Sequence, residues 1–137
     1  TLLVSTIDAM EGGELHPAAQ DSVDSGGVSL APRISSDDAR VHWSGDVFEV
    51  DRWIRACTPD PGAWTVIDGQ RVNIGTPQAV VVDEGASPGV IHVEKSQVTI
   101  GARGGFIVLG EVQATGKKTM AAADWARGYR GELTRAT

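Results

Sequence analysis

The residues of this chain best suited to chemistry are basic and lie in its last thirty positions. Lys117 and Lys118 follow a glycine, Arg127 ends a predicted helix, and Arg130 comes shortly after it. Residues 111–137 hold five bases against three acids, although the whole chain has a formal charge of -6. Four such cations can converge on one anion, and a basic rim on a small barrel is a common way to hold RNA. The alternative is that they complement a helix dipole and keep the chain soluble, and charge alone favours that alternative.

Residue types that commonly perform catalysis or bind metals show no such grouping. Cys57 has no nearby His or Lys in the sequence that would lower its thiol pKa, so we expect a core thiol. Asp37-Asp38 and Asp83-Glu84 are acid pairs typical of caps and turns. No phosphate-binding loop, nucleophile elbow or dinucleotide fingerprint occurs. The histidines have no metal-site spacing: His16, His42 and His92. We therefore predict no catalytic, cofactor or metal site.

Several elements must position the basic residues, and the first is a helix. Leu3, Ile7 and Met10 fall on one helical face, and Gly12-Gly13 supplies a stop. This helix has an apolar stripe but no beginning in the sequence, so we expect the chain to be a piece of a longer one. Residues 14–34 have linker composition. A long surface loop is the alternative, but a helix before it and strands after it favour a connector between domains.

Two more helices are predicted before the strands. Ser35 and Asp38 form a weak capping box that predicts a short helix. An apolar stripe predicts a second helix, with Ser44 as its cap and two prolines as its stop. The stripe consists of Val47, Val50, Ile54 and Cys57. Arg52 and Arg55 lie off this stripe.

From Trp64 onward the period changes to two. Trp64 and Val66 lead to the turn dipeptide Asp68-Gly69, and Val72 and Ile74 alternate on the return. Further strands are predicted at 79–83, 89–94, 97–102 and 105–113. About six short antiparallel strands indicate a mainly β fold with short helices, as a small barrel or sandwich. A last helix is predicted over 120–127, capped by Thr119.

Size and composition limit the class of protein. The 137 residues are room for one modest domain, with 41% hydrophobic and 22% charged residues. No apolar run is long enough to cross a membrane, and nothing resembles a secretion signal. We expect a cytoplasmic protein without membrane contact.

Three stretches resemble the C-terminal part of the methionyl-tRNA formyltransferase family, in matching order and spacing. They are SLAPRISSDDARVHWS (29–44), VDRWIRACTPDPGAW (50–64) and GEVQATGKKTMAAADWARG (110–128). The CTP before PGAW is similar to actinobacterial members. The resemblance implies three parts: residues 1–13 as the last helix of a Rossmann-like catalytic domain, 14–34 as the linker, and 35–137 as an OB-like open barrel that binds tRNA.

The resemblance also implies a function. Members of this family transfer a formyl group from 10-formyltetrahydrofolate to the amino group of methionyl initiator tRNA, using an N-terminal domain that this sequence lacks. This chain should therefore be inactive alone, bind no cofactor itself, and have the initiator tRNA and that N-terminal domain as partners. The tRNA-binding positions implied are Arg33, Arg40, Lys117, Lys118 and Arg127, and the basic segment adds Arg130. Alternatives are the barrel of a related sugar-nucleotide formyltransferase, or a non-enzymatic barrel that binds proteins through its first helix.

Overall fold

A computed structural model of the chain describes residues 1–16 and 31–137. Most of the predicted linker, residues 14–34, therefore lies outside the described residues. The chain divides into two units, Thr1–Pro32 and Arg33–Thr137. The helices are Leu2–Glu11 (α1), Val47–Cys57 (α2) and Ala122–Gly128 (α3). The strands are Trp64–Ile67 (β1), Gln70–Ile74 (β2), Ala79–Val82 (β3), Ile91–Val93 (β4), Val98–Ala102 (β5), Gly105–Val108 (β6), Glu111–Ala114 (β7) and Met120–Ala121 (β8).

Helix α1 confirms the first predicted helix. None of its residues is buried, and Leu3, Ile7 and Met10 are 70%, 47% and 66% exposed. The backbone N–H of Gly12 makes the last helical bond, to the Asp8 carbonyl, and Gly13 with its φ of 67° turns the chain out of the helix. A helix of this length gains little stability in water without packing.

The second unit contains two four-stranded antiparallel sheets, which confirms the mainly β class with short helices. The first sheet has the order β1-β2-β7-β8 and the second has the order β3-β6-β5-β4. Eight strands form instead of about six, because Met120–Ala121 pairs with β7 and the predicted strand 105–113 divides into β6 and β7. The division falls at Gly110, where an added Cβ would lie 2.7 Å from the Thr76 carbonyl oxygen. Only glycine allows the chain to pass so closely from one sheet to the other.

The inner faces of both sheets share one hydrophobic core with α2. Val72 and Val112 enter it from the first sheet, and Ile100 and Ile107 enter it from the second. Helix α2 adds the four residues of its predicted apolar stripe: Val47, Val50, Ile54 and Cys57. Burial of such side chains is the main stabilising contribution in a domain of this size.

The β1–β2 hairpin places its inner and outer residues by register. Trp64 pairs with Asn73, and Ile67 pairs with Gln70 across the Asp68-Gly69 turn. Thr65 and Ile67 are buried, so the alternating Trp64 and Val66 lie on the outer face. The half-buried indole of Trp64 is therefore not one of the buried core residues, although it packs against them.

Three predicted helix starts were wrong. Ser35 and Asp38 bond reciprocally as a capping box does, but they close a single turn, because Val41 N–H then donates to the Trp64 carbonyl and the chain is extended there. Helix α2 is capped by Asp46, not Ser44, since the Asp46 carboxylate accepts from Phe48 N–H at 3.0 Å. Helix α3 begins at Ala122 without a side-chain cap, because the preceding two residues are used in β8.

Candidate functional site

The outer face of the first sheet gathers polar and aromatic side chains. Trp64 lies opposite Asn73, and Asn73 lies opposite Gln113, so all three project to the same side. Arg71 projects to this side too, because it lies two residues before Asn73 on β2 and is thus the diagonal neighbour of Trp64. Among the described strand residues of this face, Glu111 is the one carboxylate, and it lies at the start of β7.

Arg40, Trp64 and Arg71 form a compact group, called here the guanidinium–indole cluster. The Cζ atoms of Arg40 and Arg71 lie over the Trp64 ring at 5.5 and 4.3 Å from its centroid. Both distances are in the range of cation–π attraction. Arg40 reaches the ring because its neighbour Val41 pairs with the backbone of Trp64.

The turn at Ser36 and the strand residue Asn73 orient the cluster. Trp64 Nε1–H donates to the Ser36 carbonyl at 2.6 Å, which fixes the plane of the indole. Arg71 donates from Nη2 to Ser36 Oγ at 3.0 Å and from Nε to Asn73 Oδ1 at 3.3 Å. The guanidinium of Arg71 is therefore positioned before any ligand arrives.

Lys117 and Lys118 lie in the turn between β7 and β8, at one end of the first sheet. Lys117 N–H donates to the Ala114 carbonyl at 3.0 Å, and Gly116 supplies the positive φ of 73° that the turn requires. Gln113 Nε2 donates to the Lys117 carbonyl, and Thr115 Oγ1 donates to the Arg71 carbonyl, both at 3.0 Å. These bonds join the lysine turn to the strand that presents Arg71.

The remaining predicted bases are not gathered there. Arg127 pairs with Asp124 at 3.0 Å and lines a groove with Glu94 and Lys95, whereas Lys117 lines a different cavity of about 270 Å³ beside Trp125. The structure therefore does not place the four C-terminal cations around one anion. Arg33 and Arg130 are exposed.

Arg71 and Trp64 are the members of this face that sequence analysis missed as candidates. The predicted hairpin contained the signal, since a two-residue turn at Asp68-Gly69 sets Arg71 diagonal to Trp64. Arg40 belongs to the same group only through the tertiary pairing of Val41.

Arg55 has a structural role. Its Nε pairs with Asp51 at 2.9 Å and its Nη2 donates to the Pro77 carbonyl at 2.9 Å. The hydrogen bond that Arg55 donates to Asp51 raises the pKa of the Arg55 guanidinium. This arginine joins α2 to the segment before β3.

The described residues offer little for bond-making chemistry. Burial raises the pKa of the Cys57 thiol, so the thiolate is disfavoured in the core. Within residues 1–16 and 31–137, no group of three His, Cys, Asp or Glu side chains is arranged to hold a metal ion. None of the described helices is long and apolar enough to span a membrane. What the outer face does offer is cationic donors for an anion.

Comparisons with known proteins agree with one another. The family model described as Formyl transferase, C-terminal domain, matches residues 33–130. The methionyl-tRNA formyltransferase of Mycobacteroides abscessus is 50% identical over 129 residues, which cover 94% of this chain. That of Saccharopolyspora erythraea is 45% identical over 131 residues and 96% of this chain. The chain spans 41% of the length of each of these relatives.

Solved structures show a similar fold. HypX from Aquifex aeolicus in complex with tetrahydrofolic acid aligns with a TM-score of 0.58 at 19% identity. The alignment covers 92% of this chain and 22% of that one. At this identity the likeness concerns the fold alone.

Proposed function

Since the chain belongs to the formyl transferase C-terminal domain family, we propose that it is the tRNA-binding C-terminal part of a methionyl-tRNA formyltransferase. The observation that carries the proposal is the 50% identity to such an enzyme over 94% of this chain. The whole enzyme would transfer a formyl group from 10-formyltetrahydrofolate to methionyl initiator tRNA during translation initiation in the cytoplasm. Folate binding and catalysis belong, in this proposal, to a preceding domain.

The proposed division of the chain follows from the same resemblance. Residues 1–13 are the last helix of the catalytic domain, 14–34 are the linker, and 35–137 are the tRNA-binding barrel. The exposed apolar stripe of α1 supports this division, because such a stripe needs a surface to pack on. The catalytic domain is the surface we propose.

The barrel would act by proximity. Holding the tRNA raises the local concentration of its acceptor end near the folate site without a new chemical group. Phosphate contacts of Lys and Arg supply this kind of binding and make it sensitive to salt. The proposed tRNA-binding residues are Arg33, Arg40, Lys117, Lys118, Arg127 and Arg130.

A salt titration of tRNA binding tests the proposal. The full chain should retard folded tRNA at low salt, and Lys117→Ala with Lys118→Ala should weaken binding. Each phosphate contact contributes about 0.9 to the slope of log affinity against log salt, so that slope should fall by about 1 to 2.

The matched control removes two charges from another part of the barrel. Arg52 lies on α2 and Arg103 lies between β5 and β6, and both are exposed. The double variant Arg52→Ala with Arg103→Ala should bind almost as the wild type does. If both double variants bind equally well, the assignment of the lysine turn fails. If the wild-type chain does not bind tRNA at low salt, the proposed function fails.

A further inference from the structure

The guanidinium–indole cluster of Arg40, Trp64 and Arg71 brings two positive charges to one ring without a carboxylate between them. Within the described part of the chain, the side-chain ion pairs are Arg55–Asp51 and Arg127–Asp124. Neither guanidinium of the cluster therefore has a described carboxylate within 4.0 Å. The Asp38 carboxylate accepts from both N–H and Oγ of Ser35 through its Oδ2, and it forms no ion pair with Arg40 or Arg71.

Two cations that lie 5.5 and 4.3 Å from the centroid of one ring repel each other, and a bound anion reduces that repulsion. The indole face offers each guanidinium only a modest attraction at a partly exposed site. Arg71 uses its Nε and one N–H of Nη2 for Ser36 and Asn73. No acceptor among residues 1–16 and 31–137 takes its other N–H groups, and a guanidinium presents five N–H groups in a planar fork that suits phosphate oxygens.

The position of the cluster favours a chain of phosphates over a small enclosed ligand. Trp64 and Arg71 lie on the outer face of a sheet. Thr115 connects the backbone of Arg71 directly to the turn of Lys117 and Lys118. An anion that contacts both places must extend from this face to the lysine turn, as a nucleic-acid backbone can.

We infer that the cluster is a phosphate-binding site for an RNA strand, in which Arg40 and Arg71 are the ligands. Trp64 is a positioning residue, because its ring holds both guanidiniums and its own Nε1–H is bonded to Ser36. The inference deepens the proposed function and rests on it. It adds Arg71 and Trp64 to the proposed interface, and it makes Arg40 a phosphate ligand together with Arg71.

Four variants of the full chain test the site by tRNA binding at several salt concentrations. Arg40→Ala with Arg71→Ala should weaken binding by about tenfold and lower the salt slope by nearly 2, since two charge-assisted contacts are lost. Arg71→Lys should leave the slope of log affinity against log salt unchanged, because the positive charge remains. It should still weaken binding, because lysine lacks the planar set of N–H donors that the guanidinium presents. Trp64→Leu should weaken binding through the loss of the support for both arginines. Arg52→Ala with Arg103→Ala is the charge-matched control.

The results separate this inference from the proposed function. If Lys117→Ala with Lys118→Ala weakens binding but Arg40→Ala with Arg71→Ala behaves as the control does, the cluster is not a site and the proposed function stands. If the wild-type chain fails to bind tRNA, both are overturned. Should Trp64→Leu fail to fold, Arg71→Lys still decides, because an unchanged affinity there contradicts an oriented guanidinium ligand.

The indole N–H resonance of Trp64 gives a direct readout of the site. A short single-stranded RNA should shift this resonance at concentrations where inorganic phosphate, at equal phosphate content, does not. An equal shift with inorganic phosphate would show that the site takes a free anion, and would overturn its assignment to a strand.

Discussion

The inner faces of the two sheets are alike, since both form the hydrophobic core, but their outer faces carry different side chains. Each sends apolar residues into one core, such as Val72 from the first sheet and Ile100 from the second. On its outer face the first sheet carries Trp64, with Arg40 and Arg71 over its ring. The second sheet carries Val81 and an edge-on ring pair of His92 and Phe106, whose centroids are 5.3 Å apart. Folding constrains the inner faces, so a difference between the outer faces points to function.

Because of this difference, substitutions in the core should change stability, and substitutions on the outer face of the first sheet should change RNA binding. Side chains of the core determine stability through burial, and outer side chains contribute little to it. If the first sheet is the RNA-binding one, stability and binding should separate cleanly. Three changes test this, beginning with the largest expected effect.

Removing a core side chain beneath the second sheet should change stability alone. Ile100 is fully buried in β5, and Ile100→Ala should lower the free energy of unfolding by about 2–5 kcal/mol through lost burial and a cavity. Urea denaturation measures this. The folded fraction should bind tRNA as the wild type does, and a loss of affinity in that fraction would contradict the separation.

Adding one negative charge to each sheet compares their outer faces directly. Gln113 lies in β7 of the first sheet, and its Nε2 donates to the Lys117 carbonyl. Gln97 lies in the connection just before β5 of the second sheet, and its Nε2 donates to Glu94. Gln113→Glu should weaken tRNA binding by about threefold to tenfold through charge repulsion near the phosphates. Gln97→Glu makes the same change in shape and charge.

Gln97→Glu should weaken tRNA binding less than Gln113→Glu does, because it lies on the side of the second sheet. Glu94 lines one groove with Arg127, which is itself a proposed binding residue. A loss in Gln97→Glu as large as that in Gln113→Glu would extend the interface to the second sheet and remove the contrast between them.

The smallest effect should come from protonation of Asp38, in the Ser35–Asp38 turn beside the guanidinium–indole cluster. Hydrogen bonds from the Ser35 hydroxyl and N–H hold the pKa of Asp38 below its ordinary value of 3.8. A lowered folded-state pKa means that this carboxylate stabilises the turn above pH 3.8 and loses that contribution as pH falls through the lowered value. The Trp64 indole resonance should report the change, since its N–H is bonded to Ser36.

Asp38→Asn should produce the low-pH position of that resonance already at neutral pH. Asp37→Asn, the neighbouring carboxylate, is the control and should leave the resonance in place. Equal shifts in both variants would show that the effect comes from net charge and not from the Ser35–Asp38 bonds.

Much of the fold could be predicted from the sequence because it depends on local patterns. Alternation located the strands, and the apolar stripe of α2 predicted all four of its buried residues. The wrong predictions fall where tertiary pairing competes with a local signal. A capping box at Ser35 closes only one turn because the chain must then pair with Trp64, and a continuous apolar run divides at Gly110 because it crosses from sheet to sheet.

By itself the sequence determined the class of fold, the cationic turn at Lys117 and Lys118, and a family resemblance, since each of these is written in neighbouring residues. Only the tertiary structure decided which cations share a face. Arg40 meets Arg71 because strand pairing brings distant segments to one indole, and Arg127 faces another groove because α3 directs it there. Side chains far apart in the chain become neighbours through backbone register, and that register is set by the core.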